Sequence, residues 1–385
     1  MFKDKAVLQS DYTPNILKHR EKEIETIAQI LAPALRLNKP SNLFLYGKTG
    51  TGKTVTTRYT INKFLEVASS KNIPVKAIYV NCKLKKVADT EYRLIAQFIR
   101  ELGADIPVTG LPTEEVYDQF FKILDEREQL IVLILDEIDQ LVEKAGDGIL
   151  YSLTRINSEL KHSKISFIGI SNNLVFAHGL DPRIKSSLSQ EEIVFAPYNA
   201  VQLTDILKSR AQLAFCKNVI NSGVIEKCSA FAAREHGDAR RALDLLRVAA
   251  EIAERNGHRQ VRIKHIDMAE EKIERDNIIE AVEKQPLQFH SVLYSIFLIS
   301  EQKEDSIIYT GEVYELYKSI CHKINLRPLT QRRVSDIIGE LDMLGIINAK
   351  TISKGRYGRT REISVIIAKD ICGKIKKILM ENLDL

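Results

Sequence analysis

The chain has 385 residues, 44% of them hydrophobic and 28% charged, with a formal net charge of +5. This is the balance of an ordinary soluble protein with enough apolar side chains for two or three domains. No apolar run approaches the roughly 20 residues that cross a bilayer, and the opening MFKDKAVLQSDY lacks the apolar middle of a secretory signal, so no membrane partner and a cytoplasmic location are expected. The five cysteines are scattered without a C-x-x-C pair, and the eight histidines follow no ligand spacing. Both patterns disfavour a disulfide framework or a zinc module.

From Asn42 to Tyr198, short apolar runs alternate with helical patterns. NLFLYG, KAIYVNC, LIVLILDE, ISFIGISN and EEIVFAPY read as five strands. They are apolar or β-branched throughout, as parallel strands covered on both faces must be, which predicts an α/β layered domain. After the first strand stands GKTGTGKT, Gly47 to Thr54, followed by the helical VTTRYTINKFLEVA. This is G-x-x-x-x-G-K-[ST] in its strand–loop–helix context. Glycines let backbone N–H groups turn toward phosphate oxygens, and the following helix adds its positive N-terminus. Gly47, Thr49, Gly50, Thr51, Gly52, Lys53, Thr54 and Val55 are therefore expected to hold ATP or ADP. Lys53 would reach the β- and γ-phosphates, and Thr54 would supply a hydroxyl to Mg²⁺. The third strand delivers Asp136 and Glu137 to its carboxyl end. A buried acid there needs a partner. Mg²⁺ suits Asp136, while Glu137 is placed to polarise an attacking water. Asn172 ends the fourth strand, where an amide would orient that water or touch the γ-phosphate.

Past Tyr198 the strands stop. AVQLTDILKSRAQLAF, GVIEKCSAFAAREHG and DARRALDLLRVAAEIAERNG are amphipathic helices, and HIDMAEEKIERDNIIEAVEKQ is a charged helical connector ending before Pro286. From Leu287 come three helical patterns and then two short strands, the order of a winged helix. Between Lys318 and Lys377, 14 Lys and Arg face 5 Asp and Glu, so this segment carries +9 and the remainder of the chain −4. A salt-bridged surface explains many charges but not their segregation; a nucleic-acid footprint does. In RPLTQRRVSDIIGELDMLGII the stripe Val334, Ile337, Ile338, Leu341, Leu344 faces a core, with Thr330 placed to cap the helix. Gln331, Arg332, Arg333 and Ser335 lie at the end that a recognition helix presents to duplex DNA. Between the strands, Lys354, Gly355, Arg356, Tyr357 and Arg359 form a cationic finger, suited to the minor groove or adjoining phosphates.

Together with these motifs, HREKEI before the first strand, LDPRIKSSLSQEEIVFAPYNAVQL after the fourth and GDARRALDLLR among the helices make the chain resemble AAA+ ATPases. Within that superfamily it resembles the archaeal origin-recognition and cell-division-cycle type replication initiators. The resemblance runs from about Tyr12 to the final wing. It implies an α/β fold: a five-stranded parallel AAA+ base over residues 1–198, a helical lid over 199–276, a linker over 277–286 and a C-terminal winged-helix domain over 287–385. It implies that Arg240 senses the γ-phosphate from the lid, that Tyr198 and Arg210 line the nucleotide, and that His19 and Arg20 lie near the adenine. Arg183 would be an arginine finger completing a neighbour's site. A helical insertion at about 82–102 would touch DNA through Lys85, Lys86, Tyr92 and Arg93, although KLKK departs from the shorter polar segment usual there.

The function so implied is ATP-dependent recognition of double-stranded origin DNA, with slow hydrolysis serving a conformational switch. The implied partners are paralogous initiator subunits and the replicative minichromosome-maintenance helicase, at the nucleoid. Two rivals stand beside it: another AAA+ helper ATPase, such as a clamp loader or transposition helper, and an ATP-gated transcription regulator.

Overall fold

A computed structural model describes residues 1–9, 12–83, 90–107, 110–188, 190–303, 307–353 and 359–385, apart from the side chains at 177, 178, 187, 353, 359 and 369. The chain divides into two compact units, Met1–Ile266 and Asp267–Leu385.

The first unit runs α1 (Glu21–Leu31), β1 (Asn42–Tyr46), α2 (Lys53–Ser70), β2 (Val75–Asn81), α3 (Glu91–Leu102), α4 (Thr113–Leu124) and β3 (Gln129–Asp136). It continues with α5 (Ile138–Ala145), α6 (Gly148–Arg155), β4 (Ser163–Ser171), α7 (Pro182–Leu188) and β5 (Gln190–Val194). The five strands form one sheet in the order β2-β3-β4-β1-β5, every pairing parallel, as the apolar runs predicted. β3 is buried from end to end because its two faces meet different layers. Ile131, Leu133 and Leu135 join a core with α3, α4, α5 and α6; Leu130, Val132 and Ile134 join one with α1 and α2. Each such side chain contributes about 1.5–3 kcal/mol of burial, so β3 is firmly held and carries Asp136 at its end.

β5 is shorter than its sequence pattern. After Val194 the Phe195 N–H still reaches the Tyr46 carbonyl (2.7 Å), but Pro197 has no donor to continue the ladder. Tyr198 instead donates to the Gly237 carbonyl (3.3 Å), carrying the chain to a helical lid of α8 (Ala200–Ala214), α9 (Val224–Arg234), α10 (Ala239–Arg255) and the start of α11 (Ile263–Glu283). Asn199 closes the start of α8 with Gln202 in a capping box. Asp238 caps α10, accepting from the backbone N–H groups of Arg240 and Arg241 (2.7 and 3.2 Å).

The second unit holds the rest of α11, α12 (Leu287–Gln302), β6 (Ile308–Tyr309), α13 (Thr310–Lys323), α14 (Gln331–Met343), β7 (Ile347–Ser353), β8 (Arg359–Val365) and α15 (Lys369–Asn382). α12 is its axle, with Phe289, Val292, Leu293, Ile296 and Phe297 all buried. Ile278, Ile279 and Val282 of α11 join the same core, and His290 Nε2 donates to the Val282 carbonyl (2.8 Å). β7 and β8 pair antiparallel from Ile347↔Val365 to Ser353↔Arg359, with β6 on the outer side of β8. The expected stripe of α14 points inward: Val334, Ile338 and Leu341 are buried and Ile337 and Leu344 partly so. Neither β6 nor α15 was expected. For α15 the signal was present, since Ile371, Ile375, Leu379 and Leu383 recur every fourth residue and enter the core.

Candidate nucleotide site and nucleic-acid interface

A cavity of about 960 Å³ opens in the first unit between the carboxyl ends of the strands and the lid. Thr49, Gly50, Gly52, Lys53, Thr54 and Val55 line it, together with Asp136, Glu137, Asn172, Tyr198, Arg210 and Arg240. Gly52, at φ 91°, turns the chain into α2, leaving that helix's first N–H groups directed at an anion site.

Lys53 is buried, and its Nζ donates to the carbonyls of Gly47 (2.8 Å) and Lys48 (2.9 Å) and to Asn172 Oδ1 (2.9 Å). Burial holds its ammonium down to about 8; the Asp136 charge opposes this and the Arg240 charge adds to it. A cation in that state gains from an incoming polyphosphate. Asp136 receives three donors: Thr54 Oγ1 (2.8 Å) and Tyr79 OH (2.6 Å) on Oδ2, and the Glu137 N–H (3.0 Å) on Oδ1. A hydroxyl and a carboxylate side by side are hard oxygen donors of the kind Mg²⁺ takes, so these residues fit that ion. Glu137 sits at φ 55° just before α5, a conformation costly for a non-glycine residue and frequent at reactive sites. The Lys83 ammonium stands 3.6 Å from its carboxylate.

The lid arginines separate cleanly. Arg240 lines the cavity, whereas the Arg241 Nε donates to Glu235 (3.0 Å). Arg210 lines the cavity too, but its guanidinium donates to the carbonyls of Val7 (3.1 Å) and Tyr12 (3.0 Å) and stacks on the Tyr12 ring. It thereby fastens the N-terminal segment to α8. His19 and Arg20 are not on the cavity wall. His19 Nε2 lies 3.1 Å from Asp205, and Arg20 is a buried brace whose guanidinium donates to the carbonyls of Thr51 and Ala196 and to the Tyr198 hydroxyl. Gly47 and Thr51 likewise shape the loop from behind: the Gly47 carbonyl holds Lys53, and Thr51 is buried, its hydroxyl on the Lys48 carbonyl. Arg183, on α7, is 84% exposed and touches Asp181 on its own chain.

Sequence reasoning missed Tyr79, Arg58 and Asn81, all on the cavity wall. Tyr79 and Asn81 lie on β2, with Asn81 in register with Asp136. No motif marks them; only the pairing of β2 with β3 brings them to the acid.

In the second unit, Thr330, Gln331, Arg332 and Arg333 are exposed at the start of α14. Arg333 lies 3.9 Å from Asp336, and Ser335 is half-buried. Thr330 holds the cap position, but its side chain makes no cap bond, correcting the expectation for its hydroxyl: only its carbonyl is used, by Val334 (3.1 Å). Arg361, on β8 just past the finger, lies against α14, its Nη1 2.9 Å from where a Cβ on Gly339 would stand. Lys354, Gly355, Arg356 and Tyr357 lie outside the described residues, as does the side chain of Arg359. Of the insertion, Lys85 and Lys86 lie outside them as well. Tyr92 turns inward, its hydroxyl on the Pro107 carbonyl (2.9 Å), while the Arg93 N–H is capped by Thr90. Among the described residues no helix is long and apolar enough to cross a membrane.

Three family models match in tandem: an AAA domain over residues 36–175, a Cdc6 AAA+ ATPase-type lid domain over 204–271, and a CDC6 C-terminal winged helix domain over 280–374. The chain is 55% identical over 367 residues to an ORC1-type DNA replication protein of Pyrococcus horikoshii, covering 94% of this chain and 87% of that one. It is 50% identical over 383 residues to ORC1-type DNA replication protein 1 of Methanosarcina mazei, covering 99% and 91%. Among solved structures, the Aeropyrum pernix ORC1 protein in complex with DNA superposes with a TM-score of 0.83 at 45% identity, over 99% of this chain and 97% of that one. Cdc6p of Pyrobaculum aerophilum, at 22% identity and a TM-score of 0.62, shares the fold. With AAA base, lid and winged helix in this order and half or more of its residues shared with the two ORC1-type relatives, the chain belongs to the ORC1-type DNA replication proteins.

Proposed function

We propose that the chain is an ATP-binding replication initiator that grips double-stranded origin DNA through its winged helix and the insertion after β2. The observation that carries this reading is the pairing, in one chain, of a phosphate-loop cavity with a cationic helix-and-hairpin segment, Lys318 to Lys377. The full-length likeness to a protein solved on DNA supports it.

ATP would lie with its phosphates on Lys53 and the N–H groups of the loop and of α2, and with Arg240 above them from the lid. Mg²⁺ would be held by Thr54 and Asp136 and would offset charge on the phosphate oxygens. Glu137 would take the proton of an attacking water, and Asn172 would orient it. Because one wall of the cavity is lid and the other base, occupancy couples the two, and ATP acts as a slow conformational switch. The exposed Arg183 would complete the site of a paralogous initiator subunit. At the nucleoid, the assembled initiator would help recruit the minichromosome-maintenance helicase.

On DNA, the Gln331–Arg333 turn would meet the major groove, with the wing residues Lys354, Arg356 and Arg359 on the adjoining backbone or minor groove. Footprinting of the full chain across genomic fragments tests the reading. Protection concentrated at origins is expected; protection confined to promoters would replace the initiator with the regulator.

A further inference from the structure

Tyr79 belongs to no motif, yet it touches the acid at the centre of the cavity. Its hydroxyl donates to Asp136 Oδ2 at 2.6 Å, the oxygen that also accepts from Thr54. The Glu137 N–H takes Oδ1. A carboxylate offers about four lone-pair positions, so the donors among the described residues occupy three and leave one, on Oδ1. The phenol is itself held: the Arg58 guanidinium lies 4.0 Å from its ring centroid, and both residues line the cavity. Arg58 is one helical turn beyond Thr54 on α2, so helix and strand clamp the acid from two sides.

We propose that Tyr79 is a positioning residue for the divalent cation of the nucleotide site, acting through Asp136. The terminal torsion of an aspartate is broad. Thr54 on Oδ2 and the Glu137 N–H on Oδ1 leave each oxygen one open position; the Tyr79 bond fills the one on Oδ2, narrows the carboxylate's rotation further and leaves Oδ1 as the point of contact for an ion. A half-buried tyrosine hydroxyl needs some partner, but water or a backbone carbonyl serves that need. Here it takes the cavity-lining carboxylate that, with Thr54, is proposed to hold the metal. Partners of this kind tune metal affinity without touching the ion.

The inference rests on the nucleotide reading, and its test separates the two. Tyr79→Phe keeps the ring and the Arg58 stack while deleting the hydroxyl. The affinity of the full chain for a non-hydrolysable ATP analogue is measured in EDTA and across a Mg²⁺ titration. The expected result is a Mg²⁺ midpoint raised about 10-fold or more, well beyond any change in affinity measured in EDTA. Equal midpoints in variant and wild type overturn the assignment. So does an equal loss of affinity in EDTA, which would mark the ring as general support for the cavity. A wild-type chain that binds the analogue but ignores Mg²⁺ overturns the metal assignment of Thr54 and Asp136, and Tyr79 with it. A wild-type chain that does not bind the analogue overturns the nucleotide reading itself.

Discussion

On the proposed reading, Lys53 serves the holding of a nucleotide and Glu137 its hydrolysis, so the two roles should part at single residues. The Lys53 ammonium is buried among two carbonyls and an amide, none of which carries a full negative charge, so its affinity for a polyphosphate is unused in the protein alone. Glu137, 21% exposed on the wall of the same cavity, follows β3 and is not part of the phosphate loop. Lys53→Ala is therefore expected to abolish ATP retention in filter binding. Glu137→Gln should retain ATP while phosphate release falls by about 100-fold or more, the scale of a missing general base. Retention by the first variant or full turnover by the second would remove that residue from its role. These two residues are legible in the chain because each belongs to a contiguous motif at a strand end. Arg20, expected near the adenine, is not legible for the converse reason: its partners Thr51, Ala196 and Tyr198 come from distant segments, and only their meeting makes it a brace.

At the scale of elements, the lid helix α10 is seated on the phosphate loop. The Ala239 N–H donates to the Gly50 carbonyl (3.1 Å), and a Cβ on Gly50 would fall 1.7 Å from Asp238 Oδ1, at a φ of +70°. Gly50→Ala should push Asp238 off the N-terminus of α10, costing about 1–3 kcal/mol from the broken cap and the strained backbone. It should also misdirect Arg240. Denaturant unfolding and analogue binding should both register the change; a variant equal to wild type in both would show the lid docked otherwise.

The far end of the lid makes a separate prediction about pH. His265 is buried, its Nδ1 accepting from the Arg262 N–H (3.0 Å) at the start of α11, with the His258 ring 4.9 Å away. Burial, then the charges of His258, Lys264 and Arg262, hold it below the ordinary 6.5. The unfolded chain therefore takes up the proton first as pH falls, so the stability His265 contributes is present above about 6.5 and lost below it. Protonation also turns the Nδ1 acceptor into a donor facing a donor. His265→Asn, which keeps an acceptor near that position and does not titrate, should flatten the loss of stability between about pH 7 and pH 5. Identical acid limbs in thermal unfolding would contradict this.

At the scale of the whole molecule, a phosphate-loop unit and a winged-helix unit share one chain, and within the second an excess of positive charge is gathered in the segment from Lys318 to Lys377. If the exposed start of α14 carries DNA, Arg332→Ala with Arg333→Ala should weaken binding broadly across sequences. It should also reduce the slope of log affinity against log salt by about 2, one for each phosphate left without its arginine. An unchanged slope would direct the DNA elsewhere.

Sequence alone determined the layers, the parallel sheet, the phosphate loop with its acidic partner, the inward face of α14 and the hairpin beyond it. Each rests on periodicity or on residues adjacent in the chain, where local geometry dictates direction. Tertiary structure alone decided that Arg241 turns back to Glu235, that Arg210 ties down the N-terminal segment, that Thr330 leaves its helix uncapped by its side chain, and that Tyr79 reaches Asp136. The physical reason is common to all four. A side chain with several possible partners takes the one that packing brings within 3 Å or so, and that neighbour comes from another turn, strand or segment whose position no local pattern records.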